Sequence, residues 1–269
     1  MIVARTTAEV RAALAPLRSA PIGLVPTMGA LHDGHLALIR QARAENDTVV
    51  TSLFVNPAQF GANEGLAHYP RDEAHDLEVA AGAGVDVVFA PAPDEIYPLG
   101  FQTWVEVAEV SRPLEGAWRP GHFRGVATVC LRLFTIVRPD RAYFGLKDVQ
   151  QVAVIERLVR DLALELEIRA VPTVRDADGL ALSSRNACLS PDERAAAAAI
   201  PRALRAGEAA YREGRDGAAA ARATLAAEPG VLPQYLEVAE LGGRRVLAVA
   251  ALVGGTRLID NILLEGAPA

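Results

Sequence analysis

Two histidines separated by two residues are the first candidates for chemistry in this sequence. His32 and His35 form the pattern His-x-Gly-His, which follows a short apolar run and a turn containing Gly29, and which opens a predicted helix. The first turn of a helix presents N–H groups and the positive end of the helix dipole, so it favours phosphates. Two imidazoles there can donate hydrogen bonds to phosphate oxygens as negative charge develops. A zinc site, which would need a third ligand, and a structural pair that only caps the helix are the alternatives.

The second candidate is the only lysine of the chain. Of 27 basic residues 26 are arginines, and Lys147 lies in the segment Gly145–Gln151, directly after a predicted strand. A lysine carries a compact charge on a thin stem, so the one retained in an arginine-rich chain is a candidate for neutralising phosphate. Asp148 is either the cap of the next helix or a contact to a ribose or a metal. Gln151 lies one turn further into that helix.

Hydroxyl and guanidinium groups form a third cluster, in the segment Ala181–Asn186. Ser183, Ser184 and Arg185 lie in a loop that follows a predicted strand ending near Val174. Such a loop can bind an anion through charge-assisted hydrogen bonds. A capped helix start is the structural alternative.

Two neutral amides follow another predicted strand. Asn56 and Gln59 belong to the segment Phe54–Phe60 and can bind the hydroxyl and carboxylate groups of a small polar substrate. The turn chemistry of Asn56-Pro57 explains Asn56 equally well, but it explains Gln59 less well.

These residues need a scaffold that brings loops together, and the apolar pattern predicts one. Predicted strands are Ile22–Pro26, Thr48–Val55, Asp86–Ala90, Thr103–Val107, Ala142–Phe144 and Leu166–Val171. Predicted helices are His35–Ala44, Asp72–Ala83, Val126 to the residue before Pro139, and Val149–Leu162. This alternation is typical of βαβ units, so we predict an α/β fold with a parallel sheet. Ligands of such sheets bind in the loops that follow the strands.

The composition changes after about Asn186, where alanine- and arginine-rich helical sequence begins. Further on, the apolar runs Val246–Val253 and Arg257–Leu264 are separated by two glycines, a pattern that indicates a hairpin. We therefore predict a larger domain over residues 1–176 and a smaller C-terminal α+β domain over residues 177–269.

Composition argues against several classes of protein. The 269 residues carry a net charge of −6 without an evident basic patch, which disfavours a general nucleic-acid or membrane-surface binder. No apolar run is long enough to cross a bilayer, and the N-terminus lacks the layout of a secretory signal. The two cysteines, Cys130 and Cys188, make no disulfide framework, so we expect a reducing cytoplasm.

Several segments together resemble the pantoate–β-alanine ligase family, the pantothenate synthetases. They are PTMGALHDGH (Pro26–His35), FVNPAQF (Phe54–Phe60), YPR (Tyr69–Arg71), RPGHFRGVATV (Arg119–Val129), FGLKDVQQ (Phe144–Gln151) and DGLALSSRN (Asp178–Asn186). The segments occur in the order of the family and cover about residues 22–190. In the C-terminal part, YLEV (Tyr235–Val238) and TRLIDN (Thr256–Asn261) also fit.

The resemblance implies a fold and a reaction. The fold is a Rossmann-like nucleotidyltransferase domain with a parallel sheet, a smaller C-terminal α+β domain closing over the site, and a homodimer. The reaction requires ATP and Mg²⁺: the carboxylate of (R)-pantoate attacks the α-phosphate, and pyrophosphate leaves. The amine of β-alanine then attacks the pantoyl adenylate and releases AMP. Two alternatives are another His-x-Gly-His nucleotidyltransferase with a phosphate acceptor, and a non-catalytic nucleotide-sensing module.

The resemblance also implies roles for individual residues. The implied catalytic residues, which act on the phosphates, are His35 in the acid role, His32, Lys147, Ser183, Ser184 and Arg185. Further implied ATP-binding residues are Met28, Gly29, Ala30, Leu31, Asp33, Gly34, Gly145, Leu146, Asp148, Val174 and Leu182. The implied substrate-binding residues are Gln59, Gln151, Asn56 and Arg119.

The metal ligands are left unassigned. His75-Asp76 stands where the family often has two acidic residues, and a neutral His75 would weaken a carboxylate contact to Mg²⁺. The glycine-containing segment Gly61–Leu66 is a candidate lid that would shield the adenylate from water.

Overall fold

The computed structural model describes residues 1–61 and 65–264, and its internal contacts divide the chain into two units. Unit 1 comprises Met1–Leu146 and Gln150–Val171, and unit 2 comprises Lys147–Val149 and Pro172–Ala269. The candidate lid Gly61–Leu66 lies partly outside the described residues. Among the described residues, no helix is both long and apolar enough to cross a membrane.

A parallel sheet forms the centre of unit 1. Its strands are β1 (Ile2–Ala4), β2 (Ile22–Thr27), β3 (Thr48–Leu53), β4 (Val87–Phe89), β5 (Arg141–Gly145) and β6 (Glu167–Val171). They lie in the order β1-β4-β3-β2-β5-β6 with parallel pairing throughout. The chain moves to one side of β2 through β3 and β4 and to the other side through β5 and β6, so the order reverses between β2 and β5. Sheets of this kind bind ligands at that reversal, beyond the carboxyl ends of the strands.

Helices cover both faces of this sheet. They are α1 (Thr7–Leu14), α2 (Asp33–Glu45), α3 (Glu73–Gly82), α4 (Pro93–Ile96), α5 (Glu115–Trp118), α6 (His122–Val137) and α7 (Val149–Asp161). Consecutive residues of β2 point to opposite faces: Leu24 packs in one apolar cluster with Val126 of α6, and Val25 packs in another with Ile39 of α2. Burial on both faces explains why the strands read as continuous apolar runs, and it confirms the predicted α/β class.

Unit 2 combines helices with an antiparallel sheet. Its helices are α8 (Pro191–Ala197), α9 (Ala199–Arg212) and α10 (Gly217–Ala226), and its strands are β7 (Val231–Leu241), β8 (Arg244–Val253) and β9 (Thr256–Leu263). β8 and β9 form the predicted hairpin, with Val253 opposite Thr256. Leu204 of α9 and Leu247 of β8 belong to one buried cluster. The prediction that the smaller C-terminal part has an α+β fold is thus confirmed.

The predicted strand Thr103–Val107 is wrong. Residues 101–107 form no strand, and the N–H of Val105 donates to the side-chain hydroxyl of Thr128 at 3.0 Å instead of to a neighbouring strand. Val105 and Val107 pack against the apolar core of unit 1. The apolar alternation therefore reflects packing against α6 and not sheet pairing.

Other differences concern where elements begin and end. Sequence patterns missed β1 and α1, and they placed the start of α6 one turn late, at Val126 instead of His122. The strand predicted over Leu166–Val171 is β6, which ends at Val171 as predicted and not near Val174, where the loop bearing Ser183 was expected to begin. The proline and glycine residues of Arg112–Gly121 predict a loop, but this segment contains the short helix α5.

Candidate active site

The loop between β2 and α2 carries the His-x-Gly-His pattern at the carboxyl end of β2. Gly29 and Ala30 both have left-handed backbone conformations, with φ of 81° and 51°. The hydroxyl of Thr27 accepts the N–H of Gly29 at 3.3 Å, which fixes the beginning of the turn. The turn then delivers His32 to the N-cap position of α2, and His35 to its first turn.

The hydrogen bonds of the two histidines define which ring nitrogen carries the proton. Nδ1 of His32 accepts the N–H of Gly34 at 3.1 Å, and Nδ1 of His35 accepts the N–H of His32 at 3.3 Å. A nitrogen that accepts an N–H has no proton of its own, so each neutral ring carries its proton on Nε2. The ring centroids lie 4.2 Å apart. Helix capping therefore occupies the Nδ1 atoms, and Nε2 is the atom that can donate to a phosphate oxygen.

Asp76 holds this loop in place, and sequence reasoning did not predict that role. Its carboxylate oxygens accept the N–H of Ala30 at 2.9 Å and of Leu31 at 2.7 Å. Asp76 is only 3% exposed, and a side chain at Gly29 would lie 2.8 Å from its Oδ2. Asp76 thus binds the N–H groups of Ala30 and Leu31, and these two hydrogen bonds stabilise the conformation of the turn.

Asn56 orients Gln59 at the carboxyl end of β3. The side-chain amide of Asn56 donates to Oε1 of Gln59 at 2.9 Å and to the carbonyl of Gly125 at 3.2 Å. Its Oδ1 accepts the hydroxyl of Tyr97 at 2.7 Å. Burial raises the pKa of Tyr97, so that hydroxyl remains a donor. Asn56 is 1% exposed, so its described contacts make it a support for Gln59, and its contact to substrate stays a prediction.

Arg119 and His122 hold the main chain of Gln59 from the other side. The guanidinium of Arg119 contacts Nε2 of His122 at 3.1 Å, and Nδ1 of His122 contacts the carbonyl of Gln59 at 2.9 Å. Because a guanidinium only donates, Nε2 accepts and the proton lies on Nδ1, from which it is donated to that carbonyl. Glu115 lies 3.6 Å from Arg119 in a nearly buried ion pair. Whether Arg119 also binds substrate stays a prediction.

Gly125 lets α6 approach the turn that carries Gln59. A side chain at position 125 would lie 2.7 Å from the main-chain nitrogen of Gln59 and would overlap the carbonyl of Ala58. Only glycine leaves room for this contact. Asn56, Gln59, Arg119 and Gly125 are therefore one packed assembly within unit 1.

A pocket in unit 2 gathers three of the predicted phosphate contacts. Lys147, Ser183 and Arg185 line it together with Arg257 and Asp260, which the predicted site did not include. The side chain of Lys147 is 19% exposed. Three cationic side chains line this pocket, and its one carboxylate, Asp260, is paired with Arg175, so an anion is the ligand that this pocket fits.

A short reversal of the chain in unit 2 presents Ser183 and Arg185. The N–H of Leu182 donates to the carbonyl of Val174 at 3.0 Å, which pairs two of the predicted ATP-binding residues. The hydroxyl of Ser183 accepts the N–H of Arg185 at 3.2 Å and caps the 3₁₀ turn Ser184–Cys188. The Ser183 hydroxyl therefore acts as a cap, which was the structural alternative. This cap uses the hydroxyl oxygen as an acceptor, so the O–H can still donate to an anion.

An ion pair between a buried carboxylate and a half-buried arginine lies beside the same pocket. Arg175 makes two hydrogen bonds to Asp260, of 2.6 Å and 2.9 Å, and the side chain of Asp260 is 1% exposed. Burial raises the pKa of Asp260, and the paired Arg175 opposes that effect. Sequence reasoning missed both residues, although the segment Thr256–Asn261 was among those that fit the family.

The remaining predicted residues lie near the ends of these elements. Gly145 ends β5, Leu146 packs against the core of unit 1, and Asp148 lies 3.9 Å from the ammonium of Lys147. Gln151 is half-buried near the start of α7. Within the part of the chain that the structure describes, no group of three or more His, Cys, Asp or Glu side chains is arranged to hold a metal ion.

Comparison with known proteins gives a consistent result. A family model described as pantoate-beta-alanine ligase matches residues 2–263. A pantothenate synthetase of Moorella thermoacetica is 52% identical over 280 residues, which cover 98% of this chain and 99% of the relative. Pantothenate synthetase 1 of Bradyrhizobium diazoefficiens is also 52% identical, over the full length of both chains.

Solved structures agree with the sequence matches. The crystal structure of the pantothenate synthetase from Thermus thermophilus superposes with a TM-score of 0.95 at 46% identity, covering 99% of this chain and 100% of that one. A ligase from Francisella tularensis, complexed with beta-gamma ATP and beta-alanine, superposes with a TM-score of 0.86 at 37% identity over both full chains.

Proposed function

The chain belongs to the pantoate–β-alanine ligase family, and we propose how its residues carry out the two-step reaction of that family. The enzyme condenses (R)-pantoate with β-alanine at the expense of ATP, through pantoyl adenylate, and releases pyrophosphate and AMP. The observation that carries this conclusion is the match to the family over residues 2–263, at about half identity to pantothenate synthetases.

In the first step, the carboxylate of pantoate attacks the α-phosphate of ATP. A carboxylate acylates poorly because it lacks a good leaving group, and adenylation supplies one. The bond between the α-phosphorus and the bridging oxygen breaks, and pyrophosphate leaves with the electron pair. We assign His35 and His32 to this step, because their Nε2–H groups can donate to phosphate oxygens as charge develops.

Lys147, Ser183, Ser184 and Arg185 are proposed to hold the triphosphate. The supporting observation is the cationic pocket that Lys147, Ser183 and Arg185 line together. Fixed positive charge next to the leaving pyrophosphate lowers the barrier without any covalent participation. The half-buried position of Lys147 reduces solvent screening of its charge.

Gln59 and Gln151 are proposed to bind pantoate, and Gln59 also β-alanine. The support is the packed assembly around Gln59, which fixes its side chain through Asn56 and its carbonyl through His122. In the second step, the neutral amine of β-alanine attacks the acyl carbon of pantoyl adenylate. The acyl–oxygen bond breaks, AMP leaves, and the amine proton is lost to solvent or to a base.

Mg²⁺ is proposed to enter as part of the magnesium–ATP substrate. The described residues offer no ready-made metal cage, and both oxygens of Asp76 accept main-chain N–H groups. Mg²⁺ keeps several water ligands and is commonly bound through substrate phosphates. The residues of this chain therefore fit a metal carried by the nucleotide better than a resident metal.

AMP formation with ATP, Mg²⁺ and pantoate, measured with and without β-alanine, tests the proposed reaction. We expect AMP release that requires β-alanine, and one equivalent of pyrophosphate per enzyme without it. Lys147→Ala should lose roughly 10²- to 10³-fold in rate, as when one transition-state donor is removed. AMP release that ignores β-alanine or pantoate would overturn the assignment and indicate a nucleotidyltransferase with another acceptor.

We also propose that the enzyme is a homodimer in the cytoplasm. The family resemblance supports the dimer, and two free cysteines, Cys130 and Cys188, are compatible with a reducing compartment. Analytical ultracentrifugation of the purified chain should give about twice the mass of 28.5 kDa, and a monomer at micromolar concentration would contradict the dimer.

A further inference from the structure

We propose that Asn261 and Asp260, near the end of β9, are positioning residues for Lys147 in the adenylation step. The proposal rests on the function proposed above and adds residues to which that function assigned no role. Both residues are nearly inaccessible, with exposures of 5% and 3%. Asp260 lines the cationic pocket but is paired with Arg175, and both residues are proposed to act through the main chain at Lys147.

Asn261 fixes the main chain from which the lysine side chain projects. Its side-chain amide donates to the carbonyl of Lys147 at 2.9 Å, across 114 positions of sequence. Lys147 lies in the short 3₁₀ turn Leu146–Asp148. Asn261 itself is anchored, because it lies opposite Ala248 in the ladder that joins β8 and β9. The sheet thereby fixes the main chain from which the lysine side chain extends.

Asp260 and Arg175 keep Asn261 in that orientation. One carboxylate oxygen of Asp260 accepts the N–H of Asn261 at 2.8 Å, and Arg175 donates to the carbonyl of Asn261 at 3.0 Å. The same guanidinium makes both hydrogen bonds to Asp260. The main chain at position 261 is therefore clamped on both of its polar groups.

The same arginine also fixes the segment that leads to the other phosphate contacts. Arg175 donates to the carbonyl of Gly179 at 3.0 Å, and Arg175 forms a bridge with Ala181, two residues before Ser183. The ion pair of Arg175 and Asp260 thus connects the turn that bears Lys147 with the loop that bears Ser183. This connection is a structural reason for placing a charged pair beside the pocket that we propose binds an anion.

Stability alone gives a weak reason for this ion pair. Replacing a buried ion pair by apolar residues of similar volume is often neutral or stabilising. A polar network that fixes side-chain positions, in contrast, is needed wherever charges must be held in one geometry, because a displacement of about 1 Å costs up to about 100-fold in rate.

Separate measurement of the two half-reactions tests the proposal. The first is single-turnover pyrophosphate release from ATP and pantoate, and the second is the consumption of supplied pantoyl adenylate by β-alanine. Only the first involves the β- and γ-phosphates. We expect Asn261→Ala to slow the first by about 10- to 100-fold and to change the second by less than about twofold. Lys147→Ala, measured in parallel, gives the upper limit of the loss.

A matched control separates positioning from folding. Asn46 is also a buried asparagine whose amide donates to a main-chain carbonyl, that of Ala42 at 2.7 Å, but it lies in unit 1. Asn46→Ala should leave the ratio of the two half-reaction rates unchanged. If Asn261→Ala folds poorly, Asn261→Leu keeps a similar volume and removes the donor without adding a charge beside Asp260, and the same selective loss is expected.

Equal slowing of both half-reactions, or no slowing of either, in a folded Asn261 variant would overturn the proposal. This outcome is distinct from failure of the proposed function. In that case the wild-type enzyme itself would show no β-alanine-dependent AMP release, whatever the Asn261 variants do.

Discussion

Two buried carboxylates support the two candidate phosphate-binding regions, and they do so with different partners. Asp76 supports the His-x-Gly-His turn of unit 1 by accepting the main-chain N–H groups of Ala30 and Leu31. Asp260 supports the cationic pocket of unit 2 by pairing with the guanidinium of Arg175. The first carboxylate is held by dipoles of the backbone, and the second by a full charge on a side chain.

The difference follows from what each region presents to its ligand. The turn presents neutral imidazoles, and its left-handed residues need main-chain partners that hold a strained conformation. The pocket presents Lys147, Arg185 and Arg257, and a neutralised ion pair adds no net charge of its own beside them. Backbone partners cannot be removed by substitution, whereas Arg175 can, so the two supports should fail in different ways.

The largest expected effect is on the charged support. Asp260→Asn removes a fully buried carboxylate and leaves Arg175, whose side chain is 30% exposed, without its counter-charge, so we expect a cost near the lower end for buried pairs, about 3 kcal/mol in the free energy of unfolding. Denaturant titration measures that cost. Asp178 is the control in the same unit, because it pairs with Arg194 at 2.5 Å but is far more exposed. Asp178→Asn should cost less than about 1 kcal/mol, and equal costs for both variants would remove the distinction between the two pairs.

The next effect separates the chemical role of the turn from its helix-capping role. Asparagine is a good N-cap, so His32→Asn should preserve stability within about 0.5 kcal/mol. It removes Nε2, so the rate of pyrophosphate release should fall roughly 10²- to 10³-fold. His35→Ala should show a similar kinetic loss. Full activity in His32→Asn would mean that His32 only caps α2.

A smaller effect is expected at the backbone-held carboxylate. Asp76→Asn keeps one acceptor but turns an NH₂ group toward a main-chain N–H, at a cost of about 1–3 kcal/mol. The control is Asp72→Asn at the N-cap of the same helix. In the wild-type protein Asp72 accepts the N–H of His75, and asparagine can accept the same hydrogen bond. This variant should change stability by less than about 0.5 kcal/mol.

Magnesium dependence distinguishes the role of Asp76 as a turn support from a role as a metal ligand. Asp76 holds the turn that leads to His32, so Asp76→Asn should also slow pyrophosphate release. Because its oxygens are bonded to the turn, this slowing should persist at all Mg²⁺ concentrations. Recovery of the wild-type rate at high Mg²⁺ would contradict the comparison and place the metal on Asp76.

The smallest effect uses one cysteine in each unit as a reporter. Burial raises the pKa of Cys130 in α6 to about 12, whereas Cys188 is exposed at the end of the Ser184–Cys188 turn. Iodoacetamide should therefore alkylate Cys188 alone in the native protein, as peptide mass spectrometry can establish. We expect Cys130 to be labelled faster in Asp76→Asn than in Asp260→Asn, because Asp76 and Cys130 both lie in unit 1. Faster labelling of Cys130 in Asp260→Asn would contradict the assignment of each carboxylate to the support of its own unit.

Local patterns predicted the elements that carry the site, but not the residues that support it. The apolar strand Ile22–Pro26 and the His-x-Gly-His pattern are signals within a few residues, and both lie where expected. Asp76, His122 and Asn261 reach partners 46, 63 and 114 positions away. No periodicity encodes such a partnership, because a single polar side chain looks the same whether it faces solvent or a distant carbonyl.

The wrong strand at Thr103–Val107 has a related cause. Alternating apolar residues report that one side of a segment is buried, not that its main chain is paired. There, the hydroxyl of Thr128 supplies the main-chain partner that a strand would have supplied. Sequence patterns therefore predicted burial correctly and the hydrogen-bond partner incorrectly.

The close contact at Gly125 sets a limit for redesign of this enzyme. The turn that carries Gln59 rests directly on the α6 backbone, with room for a hydrogen atom but not for a methyl group. The turn therefore cannot move toward α6 to make room beside Gln59. Under the proposed role of Gln59 in binding pantoate, a broader substrate range would require volume created on the other side of Gln59.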